Sequence, residues 1–265
     1  MILPASYSNG FAPRDGQPLY PELWRGCVGA WNPGLGPTGL TLRDWSGYGR
    51  YATLNNDPVY AVNGAKYAIS CDGTNDYIRI PRFADYSTLL TTKKTTSIWV
   101  RTSSPGSSYR TVWSQDRCFA VTIKDSVFIT YDWAAASDRS SGVNIADGAW
   151  HHLAITFNPG VSSGSEFFID GQKVGSSFTY SSQAGSNDMD MSIGTALTTA
   201  PLNQPAAEYV NAAVDDPRLY YGLLSSNTIR LLASRRGIAY EMAPRRRSSS
   251  AVQFNRRRRL LLGAS

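Results

Sequence analysis

Short apolar runs recur along almost the whole chain, and loops rich in glycine, proline, serine and asparagine separate them. Runs of about four to eight residues between such loops are typical of β-strands, and their close spacing predicts an all-β sandwich or barrel. The predicted strands lie at residues 27–31, 40–44, 51–54, 66–70, 77–80, 96–101, 111–114, 118–123, 127–131, 150–157, 166–170, 172–178, 189–195 and 209–221.

The clearest strand signal is the sequence WHHLAITF. Its apolar residues Leu153, Ile155 and Phe157 alternate with less apolar ones, so one face of the strand is predicted to point into a core. An Asp-Gly pair at residues 170–171 lies between the next two strand-like runs. This dipeptide suits the positive φ values of a tight turn, which predicts a β-hairpin.

A short C-terminal helix is the only helix that the sequence indicates. Ser225 or Ser226 is a suitable N-cap for a helix over residues 227–234. Gly237 would end this helix, because glycine readily adopts the left-handed conformation found after helix C-termini.

The basic charge is concentrated at the C-terminal end of the chain. Residues 235–265 hold nine of the 26 basic residues and one of the 20 acidic residues, so this segment carries +8 and the remainder −2. The change in composition predicts an N-terminal arm at residues 1–22, a folded domain at 23–234 and an arginine-rich tail at 235–265. We expect the tail to stay outside the core, since burying unpaired guanidinium groups is costly.

The tail offers two arginine clusters to a partner, because guanidinium groups pair well with phosphate and carboxylate groups. Three roles are open: contact with nucleic acid, anchoring in an acidic groove of another protein, and solvation alone. The apolar LLLGAS that follows favours docking, since it offers side chains to bury. The clusters consist of Arg245, Arg246, Arg247, Arg256, Arg257, Arg258 and Arg259.

The cysteine content and the first residues predict folding in a cytoplasm. Cys27, Cys71 and Cys118 are too few for a disulfide framework and fit free thiols in a reducing compartment. No cationic start followed by an apolar stretch is recognised, so no signal peptide is expected. No run approaches the roughly 18 apolar residues of a membrane span.

Seven segments form an ordered series: LRDWSGYGRYATL, CDGTNDYIRI, TTSIWVR, WHHLAITF, FFIDGQKVG, MSIGT and AAVDDPRLYYGLLSSNTIRLL. In this order they resemble the laminin-G-like jelly-roll domains of the concanavalin-A-like superfamily, over residues 27–232. The resemblance implies an antiparallel two-sheet jelly-roll sandwich. The opening WRGCVGAWNPGLGPTGLTLRDWSG and the arginine-rich ending also resemble a subgroup of phage and environmental viral sequences.

Two roles follow from this resemblance, since its relatives are mostly extracellular modules that bind carbohydrate or protein, or structural parts of larger assemblies. The first is a non-catalytic structural or adhesion protein of a phage particle, such as a capsid decoration, head fibre or tail-associated protein. It would be made in the host cytoplasm, released by lysis and anchored to other virion proteins or copies of itself. Nucleic acid would contact the tail only. The second is a free-standing extracellular carbohydrate-binding module, with or without calcium.

Catalysis is not expected. Hydrolytic relatives of this fold place three acids on one strand, and glycoside hydrolysis needs two carboxylates about 5 to 10 Å apart. The four glutamates do not form such a pattern, and Asp188 with Asp190 lacks a third acid. The two histidines, His151 and His152, are adjacent on a predicted strand and therefore point to opposite faces.

The resemblance also implies a candidate metal site at Asp44 in RDWSG and Asp215 in VDDPR, which it places at neighbouring ends of the domain. Calcium takes about six to eight oxygen ligands, including carboxylates and carbonyls. The alternative for each aspartate is to hold a turn through an Asx hydrogen bond. Pro217 lacks a ladder donor and predicts a bulge or an edge beside Asp215.

Aromatic residues in polar loops are candidates for stacking on a sugar ring. Tyr131 and Trp133 lie with Arg139 in the longest polar loop and form the predicted ligand site. Packing is the alternative, because the aromatic residues of a sandwich mostly belong to its core. A second group consists of Tyr109, Arg110 and Trp113.

Overall fold

The computed structural model describes residues 18–63, 66–82, 91–104, 106, 108–181, 189–199 and 202–242. The strands are β1 (Cys27–Ala30), β2 (Thr41–Leu42), β3 (Ala52–Asn55), β4 (Val59–Asn63), β5 (Lys66–Asp72), β6 (Tyr77–Ile80), β7 (Lys94–Arg101), β8 (Arg110–Gln115), β9 (Phe119–Lys124), β10 (Val127–Asp132), β11 (Ser137–Asn144), β12 (Trp150–Phe157), β13 (Ser165–Ile169), β14 (Gln172–Phe178), β15 (Met191–Ile193), β16 (Leu197–Thr199), β17 (Leu202–Pro205) and β18 (Asn211–Tyr221). The helical elements are α1 (Ser226–Leu232) and 3₁₀ helices at Pro21–Trp24, Pro33–Leu35 and Ile238–Tyr240.

Two antiparallel sheets of eight strands each form the sandwich, which confirms the predicted all-β jelly roll. The first sheet has the order β14-β13-β12-β7-β18-β5-β4, and β1 also pairs with β18. The second sheet has the order β11-β10-β9-β8-β15-β6-β3-β2. The β16–β17 hairpin is a separate two-stranded sheet. Strands distant in the chain are thus neighbours in space, as a jelly roll requires.

The main core lies between the two sheets. Leu153, Ile155 and Phe157 on β12 are fully buried in it, as their alternation predicts. Phe128 of the second sheet meets Phe167 of the first at a ring-centroid distance of 5.1 Å, edge to face. Such perpendicular pairs add stabilisation beyond the burial of their area.

The predicted β-hairpin forms at the Asp-Gly pair. Ile169 pairs with Gln172, so Asp170 and Gly171 are the two turn residues, with φ values of 51° and 77°. A Cβ atom on Gly171 would lie 2.8 Å from the Cα of Arg230 in α1. Glycine therefore provides both the turn conformation and the space for the helix.

Helical segments cover the outer face of the first sheet. Side chains of β12 and β13 that point away from the main core pack against Ile229 of α1. Leu23, Tyr220, Leu232 and Ile238 belong to a second cluster on the same face. The Ser225 hydroxyl accepts the backbone N–H of Thr228 and caps α1 as expected. No helix among the described residues is long and apolar enough to cross a membrane.

Residues 235–242 pack on the sandwich, although their composition assigns them to the tail. Ile238 and Ala239 are buried, and the indole N–H of Trp24 donates to the Ala239 carbonyl at 2.9 Å. Arg236 lies against Asp215 on β18, with its Nε 3.3 Å from Oδ2 of that carboxyl. The packed part of the chain therefore reaches beyond the predicted boundary at residue 234. The tail arginines outside the described residues are Arg245, Arg246, Arg247, Arg256, Arg257, Arg258 and Arg259.

The two ends of the described chain lie side by side. Pro18 forms an antiparallel bridge with Met242, and an adjacent backbone N–H donates to a carbonyl at 2.7 Å. Both residues adjoin the helical segments on the first sheet. The segments 1–17 and 243–265 therefore join the domain at one place.

Candidate functional site

A pocket of about 350 Å³ opens on the outer face of the second sheet. Strands β8 and β9 form its floor, and the β16–β17 hairpin forms part of its wall. The residues that matter for its chemistry are Tyr109, Ser114, Asp116, Tyr131, Trp133 and Glu208.

Strand alternation explains why small and polar residues face the pocket. On β9, Val121 and Ile123 belong to the main core, so Ala120 and Thr122 point to the opposite face and line the pocket floor. The apolar side of this strand holds the sandwich together, and its other side is left available for a ligand.

Three aromatic rings meet in the pocket. The ring of Tyr131 lies 6.0 Å from that of Tyr109 and 5.6 Å from that of Trp133, and both pairs are almost perpendicular. The two predicted groups of aromatic residues thus contribute to one pocket. Rings at different orientations offer flat apolar faces to a ligand from more than one side.

A charged pair holds the Tyr109 ring in place. The hydroxyl of Tyr109 donates to Asp138 at 2.9 Å, and Lys124 Nζ binds the other Asp138 oxygen at 2.7 Å. The same ammonium group lies 4.4 Å from the centre of the Tyr109 ring. Burial, followed by the hydrogen bond to Asp138, raises the pKa of Tyr109, so this group stays a phenol at neutral pH.

The pocket floor contains a hydroxyl without a partner. Ser114 is 2% exposed, and its Oγ makes no hydrogen bond to the described residues. Nearby, the Thr111 hydroxyl donates to Glu208 at 2.5 Å, and the Thr111 backbone N–H donates to the Glu208 carbonyl at 2.9 Å. Buried polar groups usually have partners, so the Ser114 hydroxyl is available to a bound molecule or a water.

Arg139 and Trp113, both predicted near a ligand, have structural contacts instead. Arg139 donates to the buried carboxylate of Asp132 at 3.1 Å, and that carboxylate also accepts the backbone N–H of Ser181 at 3.0 Å. Trp113 is fully buried against Phe119, with a ring-centroid distance of 5.1 Å. Neither residue lines the pocket. Their residue types fit sugar binding, but their side chains are engaged in these contacts.

The Asp44 carboxylate holds a turn by accepting backbone N–H groups of other residues. Its Oδ1 accepts the N–H groups of Ala30 and Ser46 at 3.1 and 2.8 Å, and its Oδ2 accepts the N–H of Arg50 at 2.9 Å. This is the turn-holding role that the sequence left open. The three donors fix the loop that follows β2 against β1.

Asp215 lies at the predicted bulge of β18, where the pairing with β7 shifts before Arg218. It is fully buried, and its carboxylate makes no hydrogen bond to the described residues. Arg236 Nε lies 3.3 Å from Oδ2. Burial, and next the charge of Asp216, raise the pKa of Asp215 to about 7. Its surroundings thus favour a protonated carboxyl.

These contacts do not fit a calcium site at Asp44 and Asp215. One carboxylate is used by three backbone donors, and the other faces a guanidinium group and favours the neutral form. Among the described residues, no group of three or more His, Cys, Asp or Glu side chains could hold a metal ion. Calcium prefers many oxygen ligands that together carry negative charge. The described surroundings of Asp44 and Asp215 do not supply such a set.

The side chains considered for catalysis are also structural. Asp190 accepts the backbone N–H of Arg82 at 2.8 Å and pairs with Arg79, while Asp188 lies outside the described residues. His152 lies 2.8 Å from the Ser97 hydroxyl, a pair that the sequence did not reveal. Both are almost fully buried, and burial lowers the pKa of His152 to about 3. A substrate cannot reach this pair without local opening of the sheet surface.

The fold is similar to several solved binding domains. The binding domain of Paraclostridial Mosquitocidal Protein 1 superposes with a TM-score of 0.61 at 14% identity, over 80% of this chain and 52% of that one. The binding domain of Botulinum Neurotoxin DC in complex with SialylT gives 0.59 at 10%, over 80% and 52%. Domain 4 of AbnA, a GH43 extracellular arabinanase from Geobacillus stearothermophilus in complex with arabinotriose, gives 0.56 at 17%, over 78% and 98%.

The chain spans about half the length of the toxin binding domains, and at these identities the likeness concerns the fold alone. No curated protein matches the chain. Residues 72–230, more than half of the chain, match the family Laminin_G_3, described as the concanavalin A-like lectin/glucanases superfamily.

Proposed function

Because the chain belongs to the concanavalin A-like lectin/glucanases superfamily, we propose that it is a non-catalytic protein that binds a glycan in the pocket of the second sheet. The observation that carries this proposal is the meeting of three aromatic rings above a floor with a buried, unpartnered hydroxyl. Apolar ring faces with a few polar groups are the usual composition of a small-ligand site.

Similar solved structures support a glycan as the ligand. Domain 4 of the arabinanase was solved with arabinotriose, and one toxin binding domain was solved with SialylT. Another structure of a toxin binding domain contains rat synaptotagmin II, which keeps a protein receptor as the alternative. The small, concave pocket favours a few sugar rings over a protein surface.

The positions of the pocket carboxylates support binding without hydrolysis. Asp116 follows β8, while Glu208 precedes β18, so the two acids come from separate loops. Hydrolytic relatives carry their acids on one strand. We therefore expect an oligosaccharide that binds the pocket to be recovered intact after prolonged incubation.

Substitution of the aromatic rings tests the site. Glycan-array binding followed by calorimetry should give at least about tenfold weaker binding for Trp133→Ala and Tyr131→Ala, because each change removes a ring face. Tyr48→Ala is the matched control, since Tyr48 is 51% exposed and does not line the pocket. Unchanged affinity in both pocket variants would remove the pocket as the binding site.

We also propose that the domain is displayed on a phage particle, made in a host cytoplasm and released by lysis. The geometry of the chain ends favours display, because residues 18 and 242 meet beside the helices on the first sheet. The pocket opens on the second sheet. An anchor formed by the segments beyond these ends would leave the pocket facing outward. Three buried, free cysteines, Cys27, Cys71 and Cys118, fit folding in a reducing compartment.

Truncation tests the anchor. Removal of residues 243–265 takes away seven arginines and leaves every described residue of the domain in place. The shortened protein should melt normally and lose incorporation into particles. Normal incorporation would contradict an anchoring tail. If the tail binds nucleic acid, binding should weaken steeply as salt rises, whereas docking through Leu260–Leu262 should persist.

A further inference from the structure

We propose that the pocket selects uncharged sugars and rejects sugars that carry a carboxylate, an inference that rests on the proposed glycan-binding function. Asp116 and Glu208 line the pocket, and no lysine or arginine among the described residues does. A sialic or uronic acid entering this space would approach two carboxylates without meeting a lining cation. Specificity of this kind arises from repulsion of the wrong ligand as much as from attraction of the right one.

Two cations beside the pocket are already paired. Lys124 is held by Asp138 and the Tyr109 hydroxyl, at 2.7 and 3.3 Å. Arg117 follows Asp116 in the chain, and its Nε lies 3.5 Å from Oδ2 of that carboxylate. The carboxylates of Asp116, Glu208 and Asp138 thus outnumber Lys124 and Arg117 by one, which leaves this group of side chains negative.

The hydrogen-bonding groups of the pocket match the hydroxyl groups of a neutral sugar. Ser114 presents a buried Oγ that has no partner among the described residues. Thr111 holds one oxygen of the Glu208 carboxylate, and no hydrogen bond of the described residues uses the other oxygen. Sugar hydroxyls can donate to this free acceptor and can both donate to and accept from the serine. A ligand carboxylate accepts only, and it would oppose Glu208.

The ligand experiment compares matched pairs of oligosaccharides. The probes are neutral oligosaccharides, with arabinotriose among them, and counterparts that carry sialic or uronic acid in place of one neutral sugar. At low ionic strength we expect at least about tenfold weaker binding of the acidic member of each pair that binds. The ratio of the affinities for the neutral and the acidic ligand should shrink as salt rises, because salt screens charges and leaves the shape of the pocket unchanged.

Charge-removing variants test the residues. Glu208→Gln keeps an oxygen for the Thr111 hydroxyl and removes one charge, so the ratio between neutral and acidic ligands should fall by about threefold or more. Asp116→Asn should act in the same direction. Glu166→Gln is the matched control, because Glu166 lies on β13 of the other sheet. It should leave the ratio unchanged.

The two proposals fail separately. Equal or tighter binding of the acidic ligands, still lost in Trp133→Ala, would overturn the charge selection and leave the glycan-binding function intact. A ratio unaffected by Glu208→Gln and Asp116→Asn would also overturn it. Binding of neither class to the wild-type protein would remove the proposed function, and the selection with it.

Discussion

At the scale of single residues, the most unusual group is the buried guanidinium of Arg218. Its Nε donates to Asp216 at 2.8 Å, and both side chains are almost fully buried. The guanidinium also lies over the rings of Trp24 and Tyr240, 4.5 and 4.7 Å from their centres. The ion pair and the two rings together compensate a charge that could not otherwise stay in this cluster.

Removal of one partner should therefore be costly. Asp216→Ala leaves the Arg218 charge buried without its carboxylate, and we expect a loss of about 3–5 kcal/mol in the free energy of unfolding. Denaturant unfolding measures this loss. Asp147→Ala is a suitable control, since that side chain is 54% exposed. A change of less than about 1 kcal/mol in Asp216→Ala would show that the pair is not needed to compensate the charge.

Asp215 should make stability depend on pH. Its pKa is raised to about 7 from 3.8 by burial, so the folded state holds this proton more tightly than the unfolded state. The contribution of Asp215 to the free energy of unfolding is thus fully present below about pH 4. It is lost as pH rises through 7, by at most about 1.4 kcal/mol per pH unit. Denaturant unfolding between pH 4.5 and 7.5 should show wild type losing stability relative to Asp215→Asn. A constant difference, or one of opposite sign, would contradict the raised pKa.

At the scale of secondary structure elements, the sequence predicts the apolar strands well and the polar ones poorly. Strand β12 is marked by its alternation and lies in the interior of the first sheet, between β13 and β7. Strand β11 has no apolar run, and it forms an edge of the second sheet through backbone pairing with β10. Edge strands need less burial than central ones, so their sequences carry a weaker signal.

The β13–β14 hairpin offers a test at this scale. Gly171→Ala should destabilise the protein because the turn has a positive φ and the new Cβ would meet the backbone of α1 at 2.8 Å. Gly142→Ala is the matched control, since its φ is 72° and nothing lies within 4 Å of the added atom. The left-handed conformation should lower the free energy of unfolding of both variants by about 1–2 kcal/mol. Gly171→Ala should lose more, because of the contact with α1. Equal losses in thermal or denaturant unfolding would show that α1 does not restrict this turn.

At the scale of the whole molecule, the sequence predicts the fold but only part of the site. Tyr131, Trp133 and Tyr109 are recognisable as aromatic residues near polar loops. Ser114 and Glu208 carry no sequence signal, because they reach the pocket only when the strand order brings β8 beside the loop before β18. The direction of Arg139 away from the pocket depends on Asp132, which no local pattern reveals.

Calcium should not stabilise the protein through Asp44 and Asp215. A ligand that binds only the folded state raises the melting temperature, and the two carboxylates are already held by backbone donors or faced by Arg236. Thermal melting in excess chelator and in millimolar calcium should give the same midpoint within about 1 °C. A rise of several degrees with calcium would restore the metal-site hypothesis.

The most direct test of the central claim is an NMR titration of the isotope-labelled protein with the neutral oligosaccharide that binds best. The Trp133 indole signal, assigned with Trp133→Phe, should shift and saturate together with the backbone amide signals of Thr111, Ser114 and Thr122. Signals from residues of α1 on the first sheet should stay in place. Saturable shifts confined to the first sheet, or the absence of shifts around Trp133 on binding, would contradict a glycan site in this pocket.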